Sequence, residues 1–306
     1  MSRGERAMVP KAEVRTYYDQ PVLKEPVWTW EIPAYLFTGG LAAGSALLAA
    51  GADLTSNPSL ARSMQCAALA ATAVSGGLLV ADLGVPHRAH HMLRVIKPTS
   101  PMSVGSWLLT SFGTATAVAM TSTLSGRFAT VGRVARLAAA ALAPALATYT
   151  GVLVADTAVP AWHEASETLP MLFAAGAAAS AGGLGVVLVD AAAGAPARRL
   201  AVVGALGEVV AARAMRRRLG PLVGRPYGEG RTRRLRQLAE ACTVTGAVAV
   251  LAGRRRRPVL VVGGLLECAG AALERFAVVQ AGRDSARDPE ATVSPQRARC
   301  NASAVG

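Results

Sequence analysis

Eight apolar stretches follow one another along the chain, each about as long as a helix that crosses a bilayer, and the cations fall between them. They run Trp28–Ala52, Leu60–Val85, Ser103–Thr123, Val134–Val159, Leu169–Asp190, Leu200–Met215, Leu235–Ala252 and Pro258–Val279. The hydrocarbon core needs about 20 apolar residues in a helix, so the pattern predicts an all-α integral membrane protein of about eight spans. The sixth stretch is the shortest and carries Glu208; without it the count is seven and the termini part company. Composition agrees, with 52% hydrophobic and 17% charged residues. The net charge of +13 would suggest nucleic acid only if the basic residues shared one face. They lie in linkers instead, so the partner is the lipid bilayer and not nucleic acid.

The chain divides into a polar arm (1–27), a first membrane half (28–190, the first five spans), a second half (191–281) and a polar tail (282–306). No cleavable signal peptide is visible in the arm, so the first span is expected to serve as the insertion signal. Runs such as "GGLAAGSALLAAG" and "AAGAAASAGGLG" are built of small residues. Between helices in lipid, close backbone contact replaces hydrophobic force, which points to a tight bundle. Cys66, Cys242, Cys268 and Cys300 are isolated and lack metal-ligand spacing. They read as small hydrophobes rather than ligands, so no metal is assigned to this chain.

Of the 32 Lys and Arg, 21 fall on the side of the N-terminal arm if eight spans cross. Ten fall on the other (Arg62, Arg127, Arg133, Arg136, Arg198, Arg199 and Arg254–Arg257), and Arg275 lies inside the last span. The positive-inside rule then puts both termini in the cytoplasm, although "GRRRRP" pulls the other way.

Ionisable groups inside apolar runs mark functional sites by default. Glu31 opens the first span, Asp82 ends the second and Asp156 ends the fourth, all on the N-terminal side. Tyr149 lies two turns deeper than Asp156, and His87, His90, His91 and His163 follow these spans. Taken singly, Asp82 and Asp156 also fit helix caps or partners of Arg88 and Arg94, and a rim histidine fits plain solvation. Their convergence on one face favours function. No histidine lies within a span, so the facing ligands a haem needs are missing. Glu208, Glu267 and Glu274 occupy the later spans and suggest a proton path toward the opposite face.

Three segments carry a resemblance: "VWTWEIPAYLFTGGLAAGS" (27–45), "ADLGVPHRAHHMLRVIKPTSPMSVGSWLLTSF" (81–112) and "YTGVLVADTAVPAWHEASETLPMLFAAGAAASAGG" (149–183). Together they resemble the NrfD / polysulfide-reductase membrane-subunit family, over roughly Trp28 to Gly183. The resemblance implies a haem-free quinone/quinol subunit of eight helices in two four-helix bundles. It also implies a docked ferredoxin-like partner with four [4Fe–4S] clusters and a molybdopterin catalytic subunit. The quinone, menaquinone or ubiquinone, is expected just beneath the docked rim.

In that family the quinone meets the start of the first span and the tyrosine of the fourth, here Tyr149. Tyr35 and Ile32 stand where polysulfide reductase has histidine and asparagine, so Glu31 and Tyr35 are expected to take over. Asp82 matches the family's acidic position. The expected roles are hydrogen bonding by Tyr35 and Tyr149, proton exchange by Asp82, Glu31 and Asp156, and rim relay by His87 and His91. Trp28, Trp30 and Trp107 fit an aromatic belt. The rival readings are a non-catalytic anchor for the redox pair and a stand-alone proton-conducting transporter. The latter lacks inverted repeats.

Overall fold

The computed structural model describes residues 22–253, 256–293 and 295, and these are helical with no strand. Eight long helices match the eight apolar stretches: α1 (Glu31–Leu54), α2 (Pro58–Asp82), α3 (Pro101–Ser125), α4 (Ala129–Ala155), α6 (Leu169–Leu188), α7 (Ala195–Val223), α8 (Gly230–Ala252) and α9 (Arg257–Ala286). A single turn, α5 (Pro160–His163), precedes α6. Proline sets the first turn of most of them: Pro58, Pro101, Pro160, Pro170, Pro196 and Pro258. Its missing N–H is one the helix start leaves unpaired anyway. Asn57 adds a side-chain cap on the Leu60 amide at 3.3 Å.

Five of the eight, α1, α2, α4, α6 and α8, are both long and apolar enough to cross a membrane. The other three have the length but carry hydroxyls (α3) or charges (α7 and α9). The sixth stretch, short in sequence, is a 29-residue helix, because "RAMRRRLG" continues it past the apolar run. It breaks only at Gly220, whose φ of 64° and following Pro221 cannot continue the spiral.

Packing groups the helices in two sets of four. In the first, α1 lies on α2 and α4, and α3 on α4 and more lightly on α2; α6 to α9 repeat this order. The sets join where α1 and α4 meet α6, and α1 meets α9. At that seam a Cβ on Gly44 would stand 2.5 Å from the Ala177 carbonyl, so only glycine lets α1 approach α6 so closely. The boundary drawn at residue 190 follows the extent of the recognisable motifs; packing places α6 with the second bundle.

Cross-helix bonds define two rims. At the first, Glu25 pairs with Arg283 and Arg287, and Arg218 with Glu167. Thr232 donates to Asp284 there, and the Trp162 indole to the Val278 carbonyl at 2.8 Å. At the opposite rim Arg136 meets Asp53 at 2.7 Å, and Asn57 donates to the Ala193 carbonyl. Trp28 does not join an outer belt. It is half-buried and stacked on Trp162 with centroids 4.8 Å apart, whereas Trp30 is exposed. The polar tail begins as helix: α9 runs to Ala286, and residues 289–293 are helical.

Candidate functional site

Beneath the first rim, the first bundle buries two phenols. Tyr35 stands one turn into α1, and Tyr149 about two turns from the end of α4. They are 3% and 8% exposed and near enough to interact electrostatically. Neither phenol makes a hydrogen bond to another side chain or carbonyl among the described residues. Neither hydroxyl is among the fully enclosed polar atoms left without a partner, so both donors keep open space beside them and suit a ligand with acceptor oxygens.

Room for Tyr149 comes from α3. A Cβ on Gly105 would overlap the Tyr149 hydroxyl, so the glycine of "VGSW" is what lets the phenol lie across the helix. Below the phenols, Thr38 and Ser75 share a 2.7 Å hydrogen bond that ties α1 to α2. Sequence reasoning passed over Gly105, Thr38 and Ser75. Gly105 had a signal, as the one glycine in "PMSVGSW"; the two hydroxyls had none.

The rim residues divide by exposure. Glu31 begins α1 half-buried and accepts a short hydrogen bond from the Thr29 hydroxyl. Asp82 ends α2, also half-buried. Asp156 caps α4 exposed to solvent, about 10 Å along the axis from Tyr149. His87 is exposed within the 3-10 segment Pro86–Leu93, where its carbonyl meets His90 Nδ1 at 3.0 Å. His90 and His91 are edge to face at 4.3 Å. Residual desolvation first, then the charges of His90, Arg88 and His87, hold the His91 imidazole below its ordinary value. Trp107 donates to the Val95 carbonyl and fixes this loop on α3.

The second bundle holds the other sequence-flagged carboxyls, and the structure brings them together. Glu208 of α7 pairs with Arg275 of α9 at 3.3 Å and accepts from the Thr243 hydroxyl of α8, also at 3.3 Å. Arg275 also donates to the Phe173 carbonyl at 2.7 Å and lies 4.4 Å over the Phe173 ring. Glu267 is fully buried, and neither carboxyl oxygen has a hydrogen-bond partner. Glu274, two turns further along α9, lies on the side of the first rim. A narrow cleft lined by Glu208, Thr243, Glu274, Arg216, Arg236 and Glu240 leads outward there. Glu240 closes it with Arg213, Arg236 and Arg216 at 3.1, 3.2 and 3.7 Å.

Among the described residues no three His, Cys, Asp or Glu side chains converge so as to hold a metal ion. Cys66, Cys242 and Cys268 are free thiols, and Cys300 lies outside the described residues. A family model described as "Polysulphide reductase, NrfD" matches residues 20–217, which take in all three recognisable segments and the helices through most of α7. No curated protein matches the sequence.

Proposed function

The chain belongs to the polysulphide reductase NrfD family and is the membrane subunit of a redox complex; from that premise we propose that it exchanges electrons between a docked iron–sulfur subunit and a quinone bound at Tyr35 and Tyr149. A quinone held there accepts two electrons and two protons. The two phenols donate hydrogen bonds to its carbonyl oxygens and orient it. Glu31 and Asp82, half-buried at the rim above, carry protons between the site and water, with Asp156 as an outer acceptor. His87 and His91 relay protons at the surface, and the His/Arg/Lys loop around them receives the partner. That partner is a ferredoxin-like protein with four [4Fe–4S] clusters, joined to a molybdopterin catalytic subunit. All eight long helices cross the cytoplasmic membrane, with both termini on its inner side as the charge distribution favours.

The observation that carries this reading is the pair of uncommitted phenols, supplied by adjacent helices and given space by Gly105. Tyr149→Phe and Asp82→Asn are each expected to cut electron transfer to quinone while the complex still turns over a soluble dye. Unchanged quinone turnover in both variants removes the site.

A second element, proton movement through Glu208, Glu267 and Glu274, is favoured by the unpartnered Glu267 carboxyl. A carboxyl buried without a partner is costly in a span and marks a functional position. Glu208 is instead engaged by Arg275 and the Thr243 hydroxyl. Glu267→Gln is expected to abolish proton uptake coupled to quinone turnover, and unaltered uptake counts against the path.

A further inference from the structure

The arginines that oppose the overall charge asymmetry gather at one place. Arg198 and Arg199 open α7, and Arg256 and Arg257 follow the end of α8, both on the rim away from Tyr149. None of the four pairs with a carboxylate among the described residues. One Arg198 nitrogen is engaged by the Ala191 carbonyl, and Arg257 caps the end of α6 through the carbonyls of Val186 and Val187. Arg199 and Arg256 are exposed. The nearest acid in sequence, Asp190, accepts from the amides of Ala192 and Ala193. This rim therefore carries concentrated positive charge that the fold leaves unneutralised.

Directly beside it, α7 and α8 are parted by a cavity of about 380 Å³ lined by Arg198, Arg199, Val202, Val203, Val250 and Leu251. Its walls are apolar and its rim is cationic. Outward from it run Val203, Leu206 and Val210 on α7 and Val248 and Leu251 on α8, each at least half exposed. A surface of that kind faces acyl chains in a membrane protein. With α7 and α8 crossing the membrane as proposed above, a reading on which this inference rests, the cleft opens sideways into lipid with guanidinium groups at headgroup height.

We propose that this cleft binds an acidic phospholipid, with an acyl chain along Val202, Val203, Val250 and Leu251 and the phosphate held by Arg198 and Arg199. Guanidinium groups match phosphate oxygens in a fork geometry, and a basic pocket between transmembrane helices is the chemistry that retains anionic headgroups. A free phosphate ion has no use for the apolar walls. A zwitterionic lipid fills them equally well but gains less at the arginines. Arg198 and Arg199, two of the four cations on the rim where the charge count disfavours them, are thereby given a role that does not concern topology.

The full chain, purified in mild detergent, tests this by native mass spectrometry and thermal unfolding with added dioleoylphosphatidylglycerol, dioleoylphosphatidylcholine or inorganic phosphate. Phosphatidylglycerol is expected to remain bound as one copy and to raise the unfolding temperature; phosphatidylcholine and phosphate at equal concentration are expected to do neither. Arg198→Gln/Arg199→Gln is expected to weaken phosphatidylglycerol at least tenfold, while Arg62→Gln/Arg133→Gln, on the same rim but in the other bundle, leaves it unchanged. Val203→Trp, which fills the cleft and spares the arginines, is expected to displace the lipid too. Equal stabilisation by phosphate overturns the proposal, as does undiminished binding in the Arg198/Arg199 variant or in Val203→Trp.

Discussion

Replacing Arg275 by methionine isolates the energetics of the second bundle's interior. The guanidinium is 1% exposed and has three attachments: the Glu208 carboxylate at 3.3 Å, the Phe173 carbonyl at 2.7 Å and the Phe173 ring at 4.4 Å. Removing one partner of a buried ion pair costs about 3–5 kcal/mol, chiefly because the other charge is left without compensation. Arg275→Met is therefore expected to lose about that much. In Arg275→Met/Glu208→Gln the orphaned charge is gone, and what remains lost is the charged hydrogen bond to the Phe173 carbonyl, about 2 kcal/mol. The double variant should then be more stable than the single by about 1–3 kcal/mol. Reversible unfolding of the purified chain in mixed micelles, followed by helical circular dichroism, gives both differences. If the double variant is no more stable than Arg275→Met, the Glu208 charge is not the source of the cost and the paired state assigned here is refuted.

Three further outcomes follow from other contacts. Gly105→Ala drives a methyl into the Tyr149 hydroxyl; because a misplacement of about 1 Å can lower turnover about 100-fold, quinone-linked activity should fall steeply with dye activity kept, whereas equal loss of both would mean a folding defect. Gly44→Val forces α1 away from the Ala177 carbonyl and should cost about 1–3 kcal/mol in the same unfolding assay; a neutral result would show that the bundle seam is loose. At Glu25, partial burial works to raise the carboxyl, but the hydrogen bonds and charges of Arg283 and Arg287 outweigh it and hold it below 4.5. A depressed carboxyl stabilises above its unfolded value and loses that contribution as pH falls through the folded one. The wild type should therefore unfold at a higher temperature than Glu25→Gln near neutrality, with the gap closing below about pH 4.5; a gap independent of pH would contradict the clasp.

The helices themselves were legible from periodic apolar content and from proline in their first turns, because those signals are local. The ends were less so. A hydropathy window counts Arg216, Arg217 and Arg218 against a span, yet an arginine-rich turn is as helical as an apolar one, and α7 runs on through it. Tyr149, Glu31 and Asp82 could be singled out because each is an oddity within or beside an apolar run. Gly105 could not be interpreted, since a glycine declares nothing about which side chain on another helix needs its missing Cβ.

The sequence by itself determined an all-helical membrane chain with a charge asymmetry between its rims, the family it belongs to, and the residues whose chemistry stands out. All of these depend on residue type and spacing along one dimension. Only the tertiary structure decided that Tyr35 and Tyr149 lie buried within electrostatic reach of each other on two helices, and that Glu208 pairs with Arg275 while Glu267 is left alone. It alone set Arg198 and Arg199 beside an apolar cleft between α7 and α8. Such facts arise from contacts between residues tens of positions apart, where burial and distance, absent from the sequence, determine which polar groups find partners.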